Sequence, residues 1–274
     1  GARDLLDRMG VGGLSQRRPA ELSGGQQQRV GVARALARDA ALYLFDEPTA
    51  HLDTALRAAL QEEVAERRRD AGAAALYATH DAAEALAVAD RVALLREGRI
   101  AQAGTPRDVY ERPVDLWAAQ LTGPAAVLRV EVLGEGPGLR IRVGDVEVEV
   151  ASDGSGEAGG RSLLDAGQDD GGVVVHGGVP VGGGAGEPRA AAGAGSARSG
   201  PRAVLVRPEW TALGGPLSGT VRGVWYRGPY TDYRIDTPGG QVTVRRPGPP
   251  RARTGERVGW RLDRVWLLSA PDGA

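Results

Sequence analysis

The chain has 274 residues, is 42% hydrophobic and 25% charged, and carries a formal net charge of −1. These figures fit ordinary globular sequence long enough for two modest domains, with no electrostatic reason to expect nucleic acid or an anionic membrane as a partner. There is no Cys, so disulfides and thiolate metal sites are excluded; all 34 basic residues are Arg, so no lysine chemistry comes from this chain. No apolar run approaches the ~18 residues that a membrane-spanning helix needs, and the polar start GARDLLDRMG is not a secretory signal.

In chain order, the first informative stretch is Leu22-Ser-Gly-Gly-Gln26, which runs into an Ala-rich helix ending near Ala37. Ser23 suits an N-cap, Gly24 and Gly25 let a backbone approach a ligand closely, and a helix N-terminus suits a phosphate. Ala41–Phe45 and Ala74–Ala78 read as buried parallel strands. Between them Leu56, Leu60 and Val64 mark an amphipathic helix closed by Gly72, which completes a strand–helix–strand unit of an α/β sandwich. The first strand runs into Asp46 and Glu47. That places two carboxylates at the C-terminal edge of the sheet, where α/β folds bind ligands; a solvated acid pair opening a helix is the plainer alternative. Asp53 suits the N-cap of the Thr54–Arg69 helix, His51 reads as a surface residue, and Thr79-His80-Asp81 closes the second strand. A strand at Arg91–Leu95 turns at Glu97-Gly98 into Arg99–Gln102, and Pro106 and Pro113 open two short helices.

From about residue 125 the period becomes two. Leu128–Val132, Leu139–Val143 and Val146–Val150 alternate apolar with charged residues, and Gly144-Asp145 joins the last two as a hairpin. Residues 151–200 contain 16 Gly and read as a flexible, poorly ordered insertion. Strands resume at Ala203–Arg207, Gly219–Tyr226, Tyr230–Asp236, Gln241–Arg245 and Arg257–Leu268. The expected organisation is an α/β portion over 1–122 and a small all-β domain over 123–274, interrupted by the insertion.

LSGGQQQRVGVARAL resembles the signature of ABC-transporter ATPases over some fifteen consecutive residues. Ala41–Pro48 then resembles a Walker B strand, Thr49–Asp53 the D-loop, and Thr79–Asp81 the switch-histidine motif. The segment from Ala89 to Gly123 resembles importer ATPases with a C-terminal TOBE-type domain. Val206-Arg-Pro-Glu209, Gly219-x-Val221 and Val224-x-Tyr226-x-Gly228 match that OB-like β-domain. The resemblance implies the C-terminal half of a P-loop NTPase fold followed by the TOBE-type domain. It implies catalytic roles for Glu47 and His80, Mg²⁺ held by Asp46 through water, and ATP contacted across a dimer by Ser23, Gly24, Gly25, Gln26 and Asp53. The implied partners are a second ATPase subunit placed head to tail, membrane-spanning permease subunits and an extracytoplasmic solute-binding protein, with no nucleic acid. The implied place is the cytoplasmic face of the membrane, as a peripheral subunit.

The family's Gly-rich loop ends in Gly-Lys-Ser/Thr, and a chain without Lys cannot supply it. Ser155–Ser162 is a lookalike with Arg161 for the lysine, on the wrong side of the signature. No Q-loop candidate lies in residues 1–21. The expectation is a piece lacking the N-terminal part of its ATPase domain, inactive alone, with the sheet near Phe45 and the apolar face of helix 54–69 under-covered. On that basis residues 1–122 expressed alone should aggregate or stay partly molten. The alternative is a non-catalytic, ligand-sensing half-subunit that pairs with a complete ATPase. A DNA-repair ATPase is disfavoured, because a small β-domain stands where such proteins carry long coiled coils.

Overall fold

The computed structural model describes residues 2–38, 40–50, 52–71, 74–135, 138–152, 173–178 and 199–268. The helices are α1 (Ala2–Arg8), α2 (Gly24–Leu36), α3 (Thr54–Ala71), α4 (Ala82–Val88), α5 (Pro106–Glu111) and α6 (Leu116–Thr122). The strands of the first half are β1 (Leu42–Asp46), β2 (Ala74–Thr79), β3 (Arg91–Arg96) and β4 (Arg99–Gly104). Then follow β5 (Ala126–Glu135), β6 (Leu139–Val143), β7 (Val146–Ser152), β8 (Val173–Gly178), β9 (Gly200–Val206), β10 (Thr211–Tyr226), β11 (Tyr230–Thr237), β12 (Gly240–Pro247), β13 (Arg257–Leu262) and β14 (Arg264–Leu267).

The chain divides into two compact units, one of Gly1–Arg107 with Arg161–Pro188, the other of Asp108–Gly160 with Arg189–Ala274. The expected boundary at 122/123 therefore moves back to 107/108. The reason is Arg207, wholly buried in the second unit. It donates from Nη1 to the Ala119 and Pro124 carbonyls at 2.9 and 3.3 Å, and from Nη2 to the Tyr110 carbonyl at 2.7 Å and Thr122 Oγ1 at 3.0 Å. Its guanidinium also lies 3.9 Å from the centre of the Tyr110 ring. These bonds bind α5 and α6 to the β-strands.

The first unit is built on a sheet in the order β1-β2-β8-β3-β4, parallel except for the last hairpin. Glu97 and Gly98 take φ of 53° and 75°, the left-handed pair that a tight two-residue hairpin requires. α1, α2 and α3 supply Leu5, Leu36 and Leu60 to a core with Tyr43, Phe45 and Tyr77 from the strands. Leu60 and Val64 are buried, so the expected under-covering of helix 54–69 is not met. β1, at the edge of the sheet, and β2 beside it do depart from a doubly buried pattern. β1 alternates exposed and buried, leaving Leu42 53% and Leu44 68% exposed, with Leu76 of β2 37% exposed beside them. Leu44 and Leu76 are register partners, so the bare apolar surface is contiguous. Changing both to Thr, a good strand former, is expected to lower light scattering of the concentrated chain at 37 °C without changing its far-ultraviolet circular dichroism. Unchanged scattering would mean that this face does not drive association.

β8 was unexpected, because residues 151–200 read as a flexible insertion. Three consecutive valines, Val173–Val175, form a strand that lies parallel to both neighbours in the slot between β2 and β3. A gap there would leave two rows of backbone N–H and C=O groups without partners, and β-branched residues suit a central strand. The flanking glycines hid this short run from a compositional reading. Ser155–Ser162 and the Gly72 helix end fall outside the described residues.

In the second unit β14-β7-β6-β5-β9 close a barrel, and β12-β11-β10-β13 form a sheet that shares its core. Leu128, Ile141, Val204, Tyr233, Ile235 and Trp260 are central to that core. The expected hairpins are present, and the run 257–268 divides into two strands at Asp263. Pro106 opens α5 as expected, but Pro113 precedes α6 instead of opening it. Asp115 caps that helix by accepting the Ala118 N–H at 2.8 Å, a bond that Pro113 has no side chain to make.

Candidate functional site

The site starts from the C-terminal edge of the first sheet. Parallel pairing puts Asp46 level with Ala78, and the Glu47 N–H continues the ladder to the Ala78 carbonyl at 2.9 Å. The residues following both strands are thus carried to the same edge. Glu47 and His80 meet there, the His80 Nδ1–H donating to Glu47 Oε2 at 2.7 Å. The hydrogen bond to Glu47, and then its negative charge, hold the His80 imidazolium above the usual histidine range. Asp46 is exposed beside them.

Glu47 has φ of 47°, in the left-handed region that a side chain disfavours at a cost of order 1–3 kcal/mol. Its carbonyl accepts Gln28 Nε2 at 2.7 Å, a bond from α2 that the reading of the sequence missed. Only the spacing of Gln28, two residues past Gln26 on the same helix, hinted at it.

α2 begins as expected. Ser23 Oγ accepts the Gln26 N–H at 3.4 Å, while Gln26 Oε1 accepts the Ser23 N–H at 2.9 Å, a reciprocal capping box. A Cβ on Gly24 would meet nothing within 4 Å, so packing inside the chain does not call for glycine there. Close approach by a ligand or partner would. The capping pair occupies the Ser23 and Gln26 side chains, leaving the first backbone amides of the helix directed outward. Asp53 caps α3 by accepting the Leu56 N–H at 2.9 Å. Gln28 makes the link between α2 and Glu47. His51 falls outside the described residues.

A buried polar layer lies behind the pair. Tyr77, Thr79 and Glu84 are each at most 3% exposed. The Tyr77 hydroxyl bonds to Glu84 Oε1, and Thr79 Oγ1 donates to Glu84 Oε2 at 2.8 Å. Thr79 Oγ1 in turn accepts the Asp81 N–H at 3.1 Å, and Thr49 bonds to the Tyr77 hydroxyl. Burial, reinforced by the bond to Glu84, pushes the Tyr77 hydroxyl far up, so it stays a donor. The layer fixes the segments after β1 and β2 to each other and to α4. Asp81 caps α4 and pairs with Arg57 at 3.1 Å. A buried acid between two hydroxyl-bearing strand residues has no signal in a single sequence beyond the Asp81-x-x-Glu84 spacing. Among the described residues no group of three or more His, Cys, Asp or Glu is placed to hold a metal.

Two segments of the chain match known families. Residues 1–50 match the ABC transporter family model, and residues 204–268 match the TOBE domain. The two matched segments are those of ABC transporter ATPases that carry a TOBE domain. Its relatives include a Fe(3+) ions import ATP-binding protein of Brucella melitensis, 36% identical over 247 residues, covering 89% of this chain and 58% of the relative. One from Rhodococcus jostii is 40% identical over 255 residues, covering 90% and 60%. One from Rhizobium etli is 47% identical over 147 residues, covering 53% and 42%. The chain thus spans between 42% and 60% of the length of these ABC ATPases. A solved ATP-binding subunit of an ABC transporter is 31% identical, over 39% of this chain and 44% of that one, with a TM-score of 0.37, too loose a superposition to bear on the fold.

Proposed function

We propose that the chain supplies the signature, catalytic-glutamate and switch-histidine elements of an ATP site in a solute importer. The Glu47–His80 contact carries this reading: a carboxylate fixed by an imidazole at the sheet edge is poised to orient and deprotonate an attacking water. His80, whose protonated form the pairing with Glu47 favours, also suits an approaching γ-phosphate. Ser23, Gly24, Gly25 and Gln26 would close on ATP held by a second, head-to-tail subunit, with Asp53 at the same junction. With no Lys in the sequence, the lysine that neutralises the phosphates comes from residues other than these.

Asp46 fits a Mg²⁺ role, since it is an exposed carboxylate at a strand end and Mg²⁺ is commonly held by one or two carboxylates together with substrate phosphates. The ion would neutralise charge developing on the transferred phosphoryl group. The described residues offer no closed cage for it. The partners that follow from this reading are a second ATPase subunit, permease subunits in the membrane and a solute-binding protein outside it. The chain would lie at the cytoplasmic face. Among the described residues, no helix is long and apolar enough to cross a membrane. By likeness to relatives named for Fe(3+) import, ferric iron is the proposed cargo.

The decisive experiment makes a mixed ATPase by joining ahead of this chain the phosphate-loop half of a related ATPase domain, so that Glu47 and His80 face bound ATP. Turnover should then depend on Glu47, and Glu47→Gln should reduce it by roughly 10²–10⁴-fold. Turnover indifferent to Glu47 would leave the second reading, a ligand-sensing half-subunit, which the missing lysine favours. In the chain alone, Glu47→Gln is expected to bring the His80 ring back toward the ordinary imidazole titration in a nuclear magnetic resonance measurement, because its chief stabilising partner is gone.

A further inference from the structure

Among the described residues, two non-glycine residues have left-handed backbone, Glu47 and Glu97. Glu97 has a local reason, because it forms a two-residue hairpin turn with Gly98. Glu47 has none. Pro48 follows it, and a proline ring disfavours the right-handed helical region for the residue before it. Left to local preference, residue 47 would be extended, and its carboxylate would leave the direction that meets His80.

Four bonds hold the observed conformation. The N–H of Glu47 reaches Ala78 and its carboxylate accepts from His80, both on the β2 side. Its carbonyl accepts the Ala50 N–H at 3.1 Å, within the turn that follows, and Gln28 Nε2 at 2.7 Å, which alone of the four partners comes from the signature helix. The N–H and C=O of one residue lie in different peptide planes, so fixing the first leaves the second free to turn; the Ala50 bond ties the carbonyl only to its own turn, and the half-buried Gln28 amide ties it to α2.

We infer that Gln28 is a positioning residue, which holds the Glu47 backbone left-handed and so aims its carboxylate. The inference rests on the proposed role of Glu47 and adds to it a mechanical link: a displacement of α2 is transmitted to the catalytic carboxylate through one side chain. The signature that faces a partner's ATP and the glutamate of its own subunit are then joined through five residues of helix, Gly24 to Gln28.

The test is the backbone conformation of residue 47, read from its Cα and Cβ chemical shifts in the full chain with glutamate labelled by ¹³C and ¹⁵N and the resonance assigned through Glu47→Asp. Gln28→Met keeps the length of the side chain and removes the donor. It is expected to replace left-handed shifts with extended ones, and Gln28→Lys, which restores an N–H donor, is expected to bring the left-handed pattern back. If Gln28→Met loses its helical circular dichroism, Gln28→Asn, an amide too short to reach the carbonyl, is held to the same outcome. Left-handed shifts that persist in a folded Gln28→Met or Gln28→Asn chain overturn the inference. In the mixed ATPase described above, Gln28→Met should lower turnover at saturating ATP roughly 10–100-fold, as expected for a misplaced catalytic group, without changing the ATP concentration for half-maximal rate. The shift measurement needs no nucleotide, so the two ideas fail separately. Indifference to Glu47→Gln removes the chemical role of Glu47 and leaves its backbone tie in place, whereas shifts indifferent to Gln28 remove the tie and leave the chemistry.

Discussion

Arg207→Leu is expected to cost the β-rich unit roughly 3–5 kcal/mol. The guanidinium is wholly buried, and no carboxylate bonds to it; three backbone carbonyls and Thr122 Oγ1 receive its protons. Leucine fills much of the volume but makes none of these bonds; the Ala119 carbonyl keeps the Thr122 hydroxyl at 3.1 Å, and each buried polar group left unsatisfied costs about 1–3 kcal/mol. Relaxation of α5 and α6 toward water recovers part of the sum, which keeps the expected loss near the lower end of that addition. Burial lowers the Arg207 pKa and raises that of Tyr110 to about 12, yet neither group changes charge at neutral pH. The loss should therefore be the same at pH 6 and pH 8. The chain offers a clean probe. All five Trp residues lie in this unit, so urea unfolding followed by Trp fluorescence reports it alone. Arg207→Lys, with three donors on a compact head, should retain part of the stability. A Leu variant that melts with the wild type would show that the carbonyls find other partners.

The second large effect is expected at Glu84. Glu84→Ala removes the shared acceptor of Tyr77 and Thr79 and leaves both buried hydroxyls without it, for a loss of about 3 kcal/mol. Glu84→Gln keeps the shape and one acceptor oxygen, so its loss should be nearer 1 kcal/mol. The first unit holds α1 to α4 and no Trp, so circular dichroism at 222 nm in urea is the appropriate signal. The order Ala worse than Gln is the diagnostic result. Equal losses would mean that the one oxygen Gln retains does not hold its hydroxyl, and that the layer needs both carboxylate oxygens.

Both residues show where reading a sequence reaches its limit. Glu47, His80 and the Ser23 cap were legible because each depends on neighbours within a few positions, or on strand ends that parallel pairing brings level. Gln28, Tyr77 and Glu84 were not, because their partners are set by how α2 and α4 pack on the sheet. Arg207 stood in a recognisable Val-Arg-Pro-Glu run, but its bonds reach back to Tyr110 and Ala119, and that reach moved the boundary between units. β8 was missed for a related reason. Its three valines are a weak local signal, and a vacant slot between β2 and β3 is a property of the sheet. The same holds for the bare face of Leu42, Leu44 and Leu76, since an apolar strand does not state whether one side or both will be covered.

Length, composition and short-range pattern by themselves determined the two kinds of architecture and, through a family resemblance, the residues proposed for chemistry at a phosphate. They also excluded a lysine from any phosphate loop, since the chain contains none. Capping, turn formation and strand alternation act over a few residues, which is why they can be read directly. Tertiary structure alone decided which polar side chains hold those residues in place, and it did so through burial. A hydrogen bond in water is worth little, but a buried group without one is costly, so the fold selects partners that no local rule names.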